Sequence, residues 1–576
     1  MSGRTRPARR LARVWLMGLV AAVVLAFVGP AATGRPRDEA LLRVRLLIHE
    51  WRVEEAYAAL QPLLASRARD PEVELLQGEL LFLRGEYEAA AERLKSGLEK
   101  AKLQNGEAQE VRGLADLAAS TAAVTRGFVE ARSPGGHFIF RYRRGKDEVL
   151  IPYAGEALEK ARLALAQDFG GVGPDAAPAP APSSTGGASD AALPGAPVRV
   201  EIYDEVADLA RVSTLTLQEI ETSGTIALCK WNRLMIVSPK ALVRGYPWVD
   251  TLTHEYAHFI ISRVSRNTVP IWLHEGLAKF EERRWRGASG GGLSPTLESL
   301  LAQAVQKKRF ITFEQMSPSM AKLPSQEDTA LAFAEVYSAV EFLHGRFGWA
   351  GLRAVIKDLS QGAQDLRAVA AVYGASFAEF ERGWKAWLKG RKLRARGVLY
   401  TDKLRFKKAA GPGGQASKKA QAPGDEDDSG EITDPKARGF MRLGGLLRTR
   451  RRLAAAAVEY EKAQALLGGA HPLIALKLGR TYLDLGDNDR AAAALEPARE
   501  LYPDLAGLSA ALGTAYLRKG DLRKAVPTLE AAIYTSPFDP SVHCGLASAY
   551  GKLGQPALAS RASRACELLG PRTERP

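Results

Sequence analysis

"TLTHEYAHFI" (residues 251–260) is the stretch on which the reading of this chain turns. It places His254 and His258 four residues apart, with Glu255 beside the first. On a helix, positions i and i+4 lie about 40° apart around the axis, so both imidazoles leave one face, one turn apart. Two imidazoles so placed can grip one metal ion. Glu255, next to the first histidine, is set to reach a water at that metal rather than the metal itself. The bland alternative is an ordinary helix that carries two histidines, and the surrounding sequence has to decide between them.

The approach "PWVDTLTHEYAH" begins at Pro247 and puts Asp250 where a helix N-cap is expected. A catalytic zinc site takes three protein ligands and leaves a fourth position open. "VPIWLHEGLAKFEERRW" (269–285) supplies Glu275, seventeen residues after His258. Pro270 and a turn over 265–269 let a second helix run back beside the first, so that Glu275 completes a His₂Glu site for one Zn²⁺ per chain.

"HEYAH" followed by "WLHEGLA" resembles the gluzincin metallopeptidases, whose second helix carries an Asn/His-Glu-Gly-apolar-Ala motif, and among them the bacterial peptidase MA-like family, often joined to tetratricopeptide repeats in envelope proteins. The resemblance covers roughly residues 135–390. It implies that His254, His258 and Glu275 are metal ligands and that Glu255 is the base. "SGTIALCKWNRLMIVSP" (223–239) resembles the strand and loop before the motif helix, where an edge strand pairs with extended substrate. Tyr337, in "FAEVYSAVEFLHGRFG" (333–348), stands at the family's helical Tyr-x-Ser-like element and is the candidate oxyanion-stabilising phenol. His274 stands where aminopeptidase-type relatives carry Asn; it either serves the site or packs. Glu282, on the face of Glu275, either partners a ligand histidine or pairs with Arg283 or Arg284. Tyr256 and His344 read as packing residues.

At 576 residues the chain is too long for one core, and about three to five domains are expected. Hydrophobic content of 46% and charged content of 25% are those of a folded protein. The net charge of +15 comes from scattered Lys and Arg, with no aromatic-interleaved basic stripe and no nucleic-acid motif. No nucleic-acid partner is expected; the charge reads as serving solubility, or as a weak attraction to anionic envelope polymers or lipid. Cys229, Cys544 and Cys566 form no CxxC pair, which excludes a cysteine-rich zinc site. Cys544 and Cys566 could pair in an oxidising compartment, but buried free thiols are the expectation.

Residues 1–34 place Arg4, Arg6, Arg9, Arg10 and Arg13 before the uncharged run 14–34, the pattern of a signal peptide or an N-terminal membrane anchor. The rest of the chain is then exported to the bacterial periplasm, envelope or exterior. Residues 38–132 read as tetratricopeptide-like helices. Residues 135–400 read as an α+β zincin-like catalytic domain, a small mixed sheet plus a helical half, with strands at "HFIFRY" (137–142), "VRVEIY" (198–203) and "RLMIV" (233–237). A Pro/Ala/Gly/Ser-rich insertion, 171–197, and a linker, 401–436, read as disordered. Residues 437–572 carry tetratricopeptide repeats: Gly486, Gly520 and Gly554 lie 34 apart, as do Tyr482, Tyr516 and Tyr550. A less regular unit with Gly444, Ala456 and Tyr460 precedes them.

These features predict a zinc metallopeptidase acting on a protein or peptide substrate, with protein partners held by the repeats. Two other readings stay open: a non-catalytic envelope scaffold built on the repeats, and a zinc hydrolase of non-peptide amides such as those of the cell wall.

Overall fold

The computed structural model describes residues 38–170, 197–287, 289–396, 400, 404–407, 428–467 and 471–570. The run at 1–34, the insertion over 171–196 and most of the linker, 408–427, lie outside the described residues. No helix among the described residues is long and apolar enough to cross a membrane.

The sheet has five strands: β1 (Phe128–Arg132), β2 (Phe138–Arg143), β3 (Val198–Tyr203), β4 (Ala227–Lys230) and β5 (Arg233–Val237), in the order β1-β2-β3-β5-β4. β2, β3 and β5 run parallel, and antiparallel β1 and β4 close the two edges. β5 is buried at every position, which is why "RLMIV" reads as an apolar run rather than an alternation. The strand β1 lies where helical repeats were expected to continue. "FVEAR" is a half-exposed edge with too few apolar positions to announce itself. β4 and β5 are joined by Trp231 and Asn232 at φ 53° and 57°, the two left-handed residues of a tight hairpin turn.

Helices Trp248–Val264, Ile271–Glu281, Pro295–Lys307 and Gln326–Ser360 build the helical half. Tyr256 packs as expected, its ring edge-on to Phe138 of β2 with centroids 5.0 Å apart. The motif helix starts at Trp248 with Pro247 as its N-cap, earlier than the expected cap at Asp250. Pro247 lacks an N–H that a helix start would leave unbonded anyway. Asp250 instead lies in the first turn, where its carboxylate accepts from Trp285 Nε1 at 3.0 Å and Arg286 Nη2 at 2.7 Å. Gly276, next to Glu275, is demanded by packing: a Cβ there would come within 2.8 Å of Val336 O on the Gln326–Ser360 helix.

Two helix pairs and the long Asn105–Thr125 helix precede the sheet, and four antiparallel pairs follow the linker, from Pro435–Thr449 to Pro556–Leu569. One device repeats in both arrays. A glycine on the first helix receives a leucine sixteen residues on: a Cβ on Gly78 would lie 2.7 Å from Leu94, and one on Gly513 2.6 Å from Leu529. The irregular unit at Gly444 is therefore a full pair, with Tyr460 filling the leucine's place.

Both arrays are docked on the central domain. At the N-terminal side, Tyr87 donates its hydroxyl to buried Glu201 of β3, which also takes Arg233 Nη1 at 2.9 Å. The Phe82 ring meets Trp231 at the β4–β5 turn, centroids 5.6 Å apart. At the C-terminal side, Tyr246 N–H donates to Thr535 O at 3.0 Å and Trp248 Nε1 to Ile533 O at 2.9 Å. The cysteine expectation is corrected here. Cys544 and Cys566 form a disulfide across the last helix pair, Cα atoms 5.1 Å apart, because the antiparallel turn brings residues distant in sequence side by side. Cys229 is free.

Candidate active site

The motif helix and the helix after it face each other so that one carboxylate oxygen meets both histidines. Glu275 Oε2 stands 3.3 Å from His254 Nε2 and 3.3 Å from His258 Nε2. The two imidazoles are perpendicular, 89° between planes with centroids 4.6 Å apart, and each presents its Nε2 to that one oxygen. An edge of about 3.3 Å is that of a tetrahedron whose corners lie about 2.0–2.1 Å from its centre, the distance of zinc to nitrogen and oxygen. Both edges that meet at Glu275 therefore suit a zinc ion held by these three side chains. Ligating atoms of His254, Glu255 and His258 also lie within 4.8 Å of one another, which sets Glu255 alongside the metal position.

All four side chains are buried or nearly so. Burial pushes the Glu255 carboxyl up to about 8, against the opposing charge of His258 and with the Glu275 carboxylate adding to the rise. A bound divalent cation would favour the carboxylate strongly. Burial lowers His254. His258 is also desolvated, but the Glu275 carboxylate beside it outweighs that and raises it. Glu275 is held far below the carboxylate range; its desolvation is overcome by the two histidines.

Behind these side chains is a support that the sequence suggested only in part. His274 Nδ1 lies 2.6 Å from His258 Nδ1, and its Nε2 lies 3.2 Å from Ser262 Oγ. Ser262 was missed, although it is the next step of the 254/258/262 ladder on the motif helix. Glu282 takes neither arginine as its main partner: Lys279 Nζ bonds both its oxygens at 2.7 Å. One of those oxygens faces His254 Nδ1 at 3.8 Å. That nitrogen has no hydrogen-bond partner among the described residues, so Glu282 acts on His254 through charge.

Tyr337 is tied elsewhere. Its hydroxyl accepts the N–H of Gly292 at 3.0 Å and its ring lies against Phe280, centroids 5.7 Å apart. None of its described contacts is to His254, Glu255, His258 or Glu275. His344 packs as expected, against Phe280 and Trp349.

Residues 186–390 match the family described as "Peptidase MA superfamily". This chain carries a peptidase MA-like domain of gluzincin type. The match and the His254-Glu255-His258 cluster together support a zinc-dependent hydrolase. Residues 476–540 match the family "Tetratricopeptide repeat", in agreement with the paired helices there. No curated protein matches the chain. Among solved structures, a crystal structure of MamA protein is 23% identical over 23% of this chain and 73% of its own length, with a TM-score of 0.22. MamA residues 41 to the end from Desulfovibrio magneticus RS-1 are 19% identical over 25% of this chain and 77% of theirs, TM-score 0.21. The Cut9–Hcn1 heterotetramer of the APC/C is 13% identical over 93% of this chain and 81% of its own, TM-score 0.23. Likeness at that level says nothing further of the peptidase MA-like domain.

Proposed function

We propose that the chain is a zinc metallopeptidase that hydrolyses peptide bonds outside the cytoplasm, with its repeats available to protein partners. The observation that carries this reading is the single oxygen of Glu275 equidistant, at 3.3 Å, from Nε2 of His254 and His258. A zinc ion held by these three side chains supplies Lewis acidity toward water and a scissile carbonyl. Glu255 takes the proton of the attacking water on its carboxylate as the C–O bond forms. It returns that proton to the leaving nitrogen as the C–N bond breaks. β4 is paired on one side only, and its other side can take an extended substrate backbone. Export is supported by the Arg cluster before the uncharged run 14–34 and by the Cys544–Cys566 disulfide, a bond suited to an oxidising compartment.

The test is metal analysis of the purified chain beside digestion of a mixed peptide library. One zinc per chain is expected, lost in His258→Ala and in Glu275→Ala. Glu255→Gln should keep the zinc and lose hydrolysis by roughly 10²–10⁴-fold. Full zinc in both ligand variants would sink the site. Wild-type rates in Glu255→Gln would sink the mechanism. A reporter fused after residue 40 and active only in the cytoplasm would sink the export reading. Tyr337 would have to leave Gly292 to reach an oxyanion; a Tyr337→Phe variant with unchanged kcat restricts it to packing.

A further inference from the structure

The first helix of the C-terminal array, Pro435–Thr449, has one face on which no described residue packs. Lys436, Gly439, Arg442, Leu443 and Leu446, with Arg450 at the C-cap, share one side of the helix and are all exposed. Leu443 is 45% exposed and Leu446 59%. The opposite side, with Ala437, Met441 and Gly444, is buried in the array. Terminal repeats of a solenoid normally turn a polar face outward, so two protruding leucines here need an occupant.

Charge says which. Residues 435–458 hold seven basic side chains and no acid. Arg438 spends its donors on the carbonyls of Ile432 and Thr433, and Arg448 pairs with Asp484. Lys436, Arg442, Arg450, Arg451 and Arg452 form no ion pair with a described residue. Two copies meeting head to head would set like charges against each other. Head-to-tail stacking has little of the far end to use, because the last helix packs on the central domain, where Arg561 pairs with Glu156 at 2.9 Å. A peptide helix would look for a groove between helices, whereas this is the outer face of one helix. Leucines flanked by arginines, with no acid among them, are the pattern of a helix lying in a lipid interface.

We propose that the outer face of the Pro435–Thr449 helix, with the Arg450–Arg452 turn, docks on anionic lipid headgroups, Leu443 and Leu446 entering the interface. The surface is independent of the metal site, and its test can fail without touching the hydrolase reading. Each arginine near an anionic leaflet contributes roughly 1 kcal/mol, about five-fold in partitioning.

The test is hydrogen–deuterium exchange of the full chain with vesicles of phosphatidylcholine alone or mixed with phosphatidylglycerol. Any insertion of residues 14–34 occurs in both, so the difference reports this face. Amides of 439–450 should slow only with phosphatidylglycerol. The protection should be lost in the Arg442→Gln, Arg450→Gln, Arg451→Gln, Arg452→Gln variant and at high salt, with the metal content unchanged. Equal exchange in the two vesicle types overturns the proposal. So does protection by an acidic peptide but not by vesicles. Protection before vesicles are added, abolished by neutralising Asp425, Glu426 and Asp427, would make the chain's own acidic run the occupant and would also overturn it.

Discussion

Nδ1 of His274 lies 2.6 Å from Nδ1 of His258, with the two rings 11° from parallel. Such a pair needs one donor and one acceptor. Only a proton on His258 Nδ1 leaves the His258 Nε2 lone pair facing the metal position, so His274 Nδ1 must accept. His274 then carries its own proton on Nε2, toward Ser262 Oγ at 3.2 Å. Burial, with His258 beside it, holds the His274 pKa down to about 3, so the ring stays neutral and able to accept. Loss of such a partner typically costs 10–100-fold in metal affinity. His274→Leu is expected to weaken zinc by about that factor in a chelator competition, whereas His274→Asn keeps an acceptor oxygen and should bind more nearly as wild type. Unchanged affinity in the Leu variant would reduce His274 to packing.

The four central side chains were legible because the chemistry is periodic: two histidines one helical turn apart, then a glutamate on a returning helix. Their support was legible only in part, because it depends on how two helices face each other. Ser262 and His274 are twelve residues apart in sequence and meet only through the turn at 265–269. The core strands β2, β3 and β5 announced themselves by apolar content, whereas β1 and β4 are edges whose pairing supplies what their side chains do not. The disulfide escaped for a similar reason: nothing in the spacing of Cys544 and Cys566 shows that one helix pair lays them side by side. Docking of the arrays could not be read at all, since the contacts are single groups such as the Trp248 indole on Ile533 O.

Glu335 gives a pH dependence outside the four central side chains. It is fully buried, accepts Ile311 N–H at 3.1 and 3.2 Å, and is pushed by burial from an ordinary 4.5 up to about 8. Between those values the folded chain holds a proton that the unfolded chain has released, so this group makes stability fall as pH rises through that window. Glu335→Gln keeps an acceptor and does not ionise. Urea midpoints should show the variant gaining on wild type from pH 5 to pH 8, by on the order of a few kcal/mol. Parallel curves would refute the assignment.

The cysteines give a count. Denatured without reductant, the chain should react with one equivalent of thiol reagent, at Cys229, and with three after reduction. Cys544→Ser should destabilise the last helix pair by roughly 2–4 kcal/mol. Three reactive thiols in the unreduced protein from an oxidising host would remove the bond.

The C-terminal array is expected to be part of the catalytic domain's fold rather than a tethered module. Trp248, the first residue of the motif helix, is fully buried, and its indole N–H is satisfied by Ile533 O at 2.9 Å. Tyr246 N–H ends on Thr535 O at 3.0 Å. Tyr534 lies edge-on to Trp285, centroids 5.2 Å apart, with the Arg286 guanidinium 4.8 Å from the tyrosine ring centre. Arg286 in turn bonds Asp250 on the motif helix. Deleting residues 408–576 would bare these rings and strand the two donors, at about 1–3 kcal/mol for each that stays out of water. The motif helix would lose the anchor of its first turn, one turn and a half before His254. A chain ending at residue 407 should therefore aggregate or melt at a lower temperature than the full chain, and its zinc affinity should fall. Coexpression of residues 428–576 should restore both, because the contacts are non-covalent. If the truncated chain is monomeric, with the melting temperature and zinc affinity of the full protein, the array is a tethered module and the shared core described here does not matter to the site.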